Sequence, residues 1–188
     1  MQSGQVNRQR TASIILAGGC FWGLQAFLRR LPGVLETEAG YANSLVPAPT
    51  YEQVCSQRTH AVEAVKVVYD PDILTLRQLL DAYFAVIDPT AVNRQGNDTG
   101  TNYRTGIYYS DPADLPVIQT AVKTEERRYV HPLATEVLPL KNYYPAEGYH
   151  QDYLEVHPGG YCHISPVLIH GFRLKSPEEL AKEDGNGQ

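Results

Sequence analysis

The sequence is short of cysteine, has no long apolar run and gathers its basic residues into no patch. Only three of its 188 residues are cysteine, too few and too odd a number for a disulfide framework. The cytoplasm is the expected compartment, with any disulfide transient and catalytic. No apolar run approaches the ~18 residues of a membrane span. The 16 Lys and Arg are outnumbered by 21 Asp and Glu, a formal net charge of −5, and are scattered apart from the pairs Arg29-Arg30 and Arg127-Arg128. Neither nucleic acid nor an anionic membrane is therefore an expected partner. "RQRTASIILAGGC" has the ingredients of a lipoprotein leader, but its apolar core "SIILA" falls short of the roughly 7–15 residues such a leader needs, and it runs straight into "FWGLQAFL". Internal repeats and low-complexity tracts are also missing.

What is present reads as one globular domain. The hydrophobic share of 43% and charged share of 20% are ordinary for a soluble protein, and the length supports a single core. A single domain over residues 1–188 is expected, with an ordered core over about 11–175 between the loose polar ends "MQSGQVNRQR" and "KEDGNGQ".

Periodicity sets out the elements. "TASIILA" predicts a buried strand. "CFWGLQAFLRRL" predicts a helix with Phe21, Leu24, Phe27, Leu28 and Leu31 on one face, stopped by Pro32-Gly33. "VLETEAGYA" predicts a strand, and "PTYEQVCS" a short helix opened by a Thr50/Gln53 capping box. "VEAVKVVYD" predicts a strand buried on both faces. "TLRQLLDAYFAVI" predicts a helix opened by Thr75 and Gln78. "TGIYYS", the helix "PADLPVIQTAVKTEERRY" and a last strand "TEVLPL" follow, then long loops with short helical pieces. No hairpin signal is present. The order implies an α/β, two-layer sandwich with helices packed on a mixed sheet.

The chemistry concentrates at "AGGCFWGLQAF". Cys20 falls where a strand turns into a helix, where free N–H groups and the helix dipole favour an anion. Its thiol pKa is expected below the free value of about 8.5. Position alone leaves two readings open, a reactive thiolate or a buried thiol acting as a small apolar residue. Trp22, the only tryptophan, falls off the helix stripe and either lines an apolar pocket beside the thiol or makes a second packing contact. A phosphate loop fails for want of a lysine after the glycines. A papain-like setting fails because Phe21 separates Cys20 from Trp22.

"GGCFWG", "LPGV", "GYANS", "PTYEQVC", "VVYDP", "DPT", "RQGNDTGTNYRTGIYY" and "GYC", in that order from about residue 14 to 170, resemble the A class of peptide methionine sulfoxide reductases. The resemblance implies reduction of the S epimer of methionine sulfoxide, in oxidised proteins or as the free amino acid. Cys20 is then the nucleophile and passes through a sulfenic acid. Glu63 is the proton donor, kept protonated by its apolar strand. Tyr51 and Tyr103 hydrogen-bond the sulfoxide oxygen, Asp98 fixes a polar network near them, and Phe21 and Trp22 form the methyl slot. Cys162, behind the flexible Gly159-Gly160, resolves the sulfenic acid as a Cys20–Cys162 disulfide that thioredoxin reduces.

Other implications concern what is not expected. No cofactor or metal is expected, since the spacing of His150, His157, Cys162 and His163 matches no zinc pattern. Cys55 reads as a packed thiol, and the protein is expected to be a monomer. Two departures stand out. No cysteine follows Cys162, which implies a two-cysteine cycle. "THAVEAV" replaces the usual Gly-His-Ala-Glu, so His60 does not align with the family's histidine. "RLKSPEELAKE" resembles the linker that leads, in fused members, to a B-class domain. Two alternatives stay open: a cysteine hydrolase pairing Cys20 with a tail histidine, and a redox-responsive binding module built on Cys20 and Cys162.

Overall fold

Both capping boxes form as expected. Thr50 Oγ1 accepts from the Gln53 backbone N–H while Gln53 returns a bond to Thr50, opening α2 (Tyr51–Cys55). Thr75 and Gln78 do the same for α3 (Leu76–Ala85). The computed structural model describes residues 10–186; the expected loose start lies almost wholly outside them. The remaining early elements are β1 (Ala12–Ala17), α1 (Phe21–Leu28), β2 (Val34–Ala42) and β3 (Val62–Tyr69). The later ones are β4 (Arg94–Gln95), β5 (Asp98–Thr99), β6 (Gly106–Tyr109), α4 (Leu115–Glu126), β7 (Glu136–Pro139), β8 (Tyr143–Pro145), α5 (Tyr153–Val156), α6 (Pro166–Gly171) and α7 (Pro177–Gly185).

The architecture is the α/β arrangement with a mixed sheet that the sequence implied. Six strands lie in the order β7-β6-β1-β3-β2-β8, antiparallel except for the parallel pair β6–β7. Strand periodicity divides the side chains between two faces. Ile14, Leu16, Ala39, Tyr41, Val65, Val67 and Ile107 join the helices in the main core. Ile15, Ala17, Ala42, Val62, Ala64 and Tyr108 form a second cluster on the other face, covered by Leu140 and Tyr143. Glu63 shares the parity of Val65 and Val67, so it faces the helices.

The sheet must be strongly curled. Its edge strands β7 and β8 are joined by residues 140–142 alone, a reach of at most about 14 Å. Five inter-strand steps in a flat sheet would separate those edges by about 24 Å. The short crossover is pinned on both sides, by Leu140 N–H to the Tyr109 carbonyl at 2.8 Å and by Lys141 N–H to Asn43 Oδ1 at 2.7 Å.

Three expectations need correction. "TEVLPL" is not the last strand, since β8 adds three residues against β2. "RQGNDT" is a small hairpin, β4 paired with β5 around Gly96 and Asn97. The end is not a loose tail up to its last described residue: a Ser176/Glu179 capping box opens α7, and Arg77 clamps Asp184 at 2.7 Å.

Candidate active site

Cys20 occupies the position before the first turn of α1, after Gly19 at φ +81°, a conformation open to glycine and costly for other residues. The thiol is 8% exposed. Glu63 is 1% exposed, and its Oε2 accepts the Phe21 backbone N–H at 3.3 Å. The helix start therefore spends a free N–H on Glu63, which ties β3 to the residue after Cys20. Burial pushes the Glu63 carboxyl up to about 8, opposed by that N–H and by Asn102.

The Cys20 thiol is likewise raised, not lowered as expected. Burial is the main cause, the carboxyls of Glu63 (once ionised) and Asp98 add to it, and only the Trp22 backbone N–H favours the thiolate. Among the described residues the groups acting on the thiol include no histidine and no cation. A short helix cannot outweigh desolvation when its first N–H groups are shared. At neutral pH both Cys20 and Glu63 hold their protons.

Tyr51 opens α2, and Tyr103 ends a single 3-10 turn over Thr101–Tyr103. Burial raises both phenols, and each lies within electrostatic reach of Glu63; they remain O–H donors. Arg104 braces the Tyr103 turn through the Thr101 carbonyl (2.7 Å), the His60 carbonyl (2.8 Å) and Glu136 (3.0 Å). The altered residues ahead of Glu63 are thus held by their backbone, with His60 itself exposed. Asp98, in β5, accepts the Tyr161 hydroxyl at 3.0 Å and acts electrostatically on Cys20, Glu63 and Tyr103.

Phe21 is buried, and Trp22 is half-buried with its indole stacked 3.6 Å over Tyr153. Between them sits His150, a residue that sequence reasoning missed as part of this site. Its Nδ1 accepts Trp22 Nε1–H at 3.1 Å, and its ring lies 5.1 Å from Phe21 and 4.4 Å from Tyr51. Burial lowers its pKa, which keeps it the neutral acceptor. Glu147 faces its other nitrogen at 3.7 Å and also accepts from Tyr41 and Tyr149. Gln151 straps this segment to β2, bonding both the N–H and the carbonyl of Ala39 at 2.8 Å.

Cys162 is half-buried, its thiol donating to the Ile164 carbonyl at 3.2 Å. It lies against Gly23, where an added Cβ would stand 2.8 Å from the sulfur. Cys55 is exposed at the end of α2, not packed as expected, because its helix presents Val54 to the core instead. The tail histidines go to separate places. His150 joins the aromatic site, His157 packs on Tyr153 at 4.6 Å, and His163 lies beside Gly19. Among the described residues no group of three or more His, Cys, Asp or Glu is set to hold a metal.

A buried thiol, a carboxyl protonated at neutral pH, two phenols and a second thiol near the same helix are the parts of a thiol-based oxidoreductase. The model of the peptide methionine sulfoxide reductase family matches residues 12–177, and the chain belongs to that family. It is 53% identical over 156 residues to the peptide methionine sulfoxide reductase MsrA of Clostridium acetobutylicum, covering 83% of this chain and 96% of that one. Reduced Mxr1 from Saccharomyces cerevisiae superposes with a TM-score of 0.78 at 34% identity, over 90% of this chain and 95% of that one. Mxr1 in complex with Trx2 superposes with a TM-score of 0.56 at 25% identity, over 81% of this chain and 91% of that one.

Proposed function

We propose that this chain is a single-domain, monomeric cytoplasmic enzyme that reduces the S epimer of methionine sulfoxide, in oxidised proteins and as the free amino acid, and is recycled by thioredoxin. The observation that carries the reading is Glu63: a buried carboxyl that keeps its proton to about 8, hydrogen-bonded to the residue after a buried cysteine. A sulfoxide oxygen leaves poorly unless protonated, so a neutral acid beside the thiol is what this reaction requires.

Glu63 protonates the sulfoxide oxygen while Tyr51 and Tyr103 donate hydrogen bonds to it. Cys20 gives up its proton as its sulfur attacks the sulfoxide sulfur, forming an S–S bond. The hydroxyl then passes to the Cys20 sulfur: the methionine S–O bond and that S–S bond break, a Cys20 S–O bond forms, the methionine sulfur is reduced and Cys20 is oxidised to the sulfenic acid. The thiol proton restores the net balance on Glu63. Phe21 and Trp22 wall the methyl group, with the indole held by His150 and Tyr153. Asp98 orders the polar groups at the hairpin. Cys162 then attacks the sulfenic sulfur and releases water, and the Cys20–Cys162 disulfide is reduced by a dithiol. The likeness to Mxr1, whose complex is with Trx2, supports thioredoxin as that dithiol. The chemistry is carried by side chains and an external thiol, without a metal or cofactor.

The test couples thioredoxin, its reductase and NADPH to each epimer of a methionine sulfoxide peptide. NADPH oxidation that depends on the S epimer is the expected result. Turnover with neither epimer would sink the reading.

A further inference from the structure

Gly23 is a glycine for which the backbone has no need. It lies inside α1, away from positive φ, where glycine is less favourable than alanine. Its neighbours supply the reason. An added Cβ would meet Cys162 Sγ at 2.8 Å and His163 Nδ1 at 3.5 Å. The same side chain closes on two more glycines: a Cβ on Gly19, which would meet Gln95 first, would stand 3.2 Å from His163 Nε2, and one on Gly96 3.2 Å from His163 Cβ. Three glycines, one before Cys20, one in the first turn after it and one in the β4–β5 turn, thus make a seat for a single side chain. Tyr161, two residues before it, pins the same stretch through its hydroxyl to Asp98 at 3.0 Å. Ile164, the residue after it, is buried to 2% exposure.

Shape holds the ring in this seat. Among the described residues neither buried nitrogen of His163 has a well-formed hydrogen bond, although the Gly18 backbone interacts with the ring. So weakly bonded a buried imidazole gains little from hydrogen bonding, and the close fit against the three glycines is what holds it.

We propose that His163 is a positioning residue: seated in the Gly19–Gly23–Gly96 cradle, it holds the Cys162 sulfur against α1, within one turn of Cys20, before oxidation begins. The step it serves is the condensation of Cys20–SOH with Cys162–SH, in which an S–S bond forms, the S–O bond breaks and the thiol proton leaves with the hydroxyl as water. The proposal rests on the reading of Cys20 and Cys162 given above. Misplacing a reacting atom by about 1 Å costs on the order of 100-fold, so a lost seat is read in this step alone.

The reduced, full-length protein is mixed with the S-sulfoxide peptide, quenched at intervals and alkylated. Methionine released reports the first step, and the Cys20–Cys162 disulfide, measured by mass, reports the second. His163→Ala is expected to form methionine at the native rate and the disulfide about 10- to 100-fold more slowly. His163→Phe, which refills the seat, is expected to form the disulfide within about threefold of the native rate, since shape and not hydrogen bonding holds the ring. Gly23→Ala attacks the seat from the other side and is expected to slow the disulfide by about tenfold, the more modest misplacement. It also serves if His163→Ala does not fold. A native disulfide rate in folded His163→Ala or in Gly23→Ala, or a His163→Phe as slow as His163→Ala, overturns the proposal. Failure of the native protein to release methionine sinks the reductase reading instead, and the two failures are read separately.

Discussion

The two sulfurs of the site are housed in opposite ways. Cys20 sits at the junction of a central strand and a helix, beneath the β4–β5 hairpin, with Glu63 fixed opposite it by the register of β3. Cys162 sits on coil between α5 and α6, half-buried, next to a tyrosine that is 43% exposed. The first is held by the sheet and the core; the second is held by one hairpin contact and a ring in a cradle. A bond-breaking step on a small substrate gains from rigid placement. A thiol that must meet first Cys20 and then an outside dithiol needs a support it can leave.

Substitutions at the two thiols break that comparison most sharply. Cys20→Ser is expected to lower methionine formation by about 10⁴-fold or more, since a hydroxyl cannot replace the nucleophile. Cys162→Ser is expected to release about one methionine per chain and then stop cycling with thioredoxin, the pattern of a lost resolving step. Single-turnover counting of methionine separates the two, and full cycling by Cys162→Ser would place the resolving thiol elsewhere.

Glu63→Gln probes the rigid half. The first step is expected to slow by about 10²- to 10⁴-fold, and in the native protein the same step is expected to fall as pH rises past about 8, where the carboxyl loses its proton. Stability carries the same signature. Because the folded pKa lies above the ordinary 4.5, the stabilising contribution is complete below that ordinary value and is lost as pH climbs through about 8. Glu63→Gln is therefore expected to gain on the native protein in unfolding free energy between pH 5 and pH 9, by an amount on the order of a few kcal/mol, read from denaturant melts at each pH. A pH-independent difference would contradict the burial argument.

His150→Ala tests whether the aromatic wall is also fixed in place. A rise of about tenfold in KM with a smaller change in kcat is expected, the cost of one hydrogen bond and its packing. Trp22 is the only tryptophan, so a red-shifted emission from the folded variant would show the indole released. The smallest effect belongs to Cys55→Ser. Cys55 is exposed, with the Tyr51 hydroxyl as its side-chain neighbour, and cycling within about twofold of native is expected. A large loss would give that thiol a redox role.

Local signals carried most of the fold. The capping boxes at Thr50 and Thr75, the apolar run of "VEAVKVVYD" and the apolar stripe of α3 each act over a few residues, and all formed. β4, β5 and β8 were missed because two or three residues make no periodicity, and β8 exists only through its distant partner β2, with Tyr143 paired to Ala42. α7 had a legible capping box and was passed over because its composition is polar. In the site, motif resemblance supplied Cys20, Glu63, Tyr51, Tyr103, Asp98 and Cys162; the structure sets Glu63, Asp98, Tyr103 and Cys162 within electrostatic reach of Cys20, and Tyr51 within reach of Glu63 and Tyr103. His150 was invisible because its bond to Trp22 spans 128 residues. The direction of the Cys20 shift was misjudged because a helix start is a local feature and desolvation is a property of the whole fold.

The crossover at residues 140–142 also sets an order of events during synthesis. Both margins of the sheet are supplied by the segment just on either side of it, β7 against β6 and β8 against β2. Until that segment leaves the ribosome, a nascent chain holding the four inner strands offers two bare backbone edges to its neighbours, the arrangement most prone to intermolecular pairing. Within ten residues, 136–145, both edges are sealed together. Translational pausing before that point is where this protein is most exposed to aggregation, and release of those ten residues ends the hazard in one stroke.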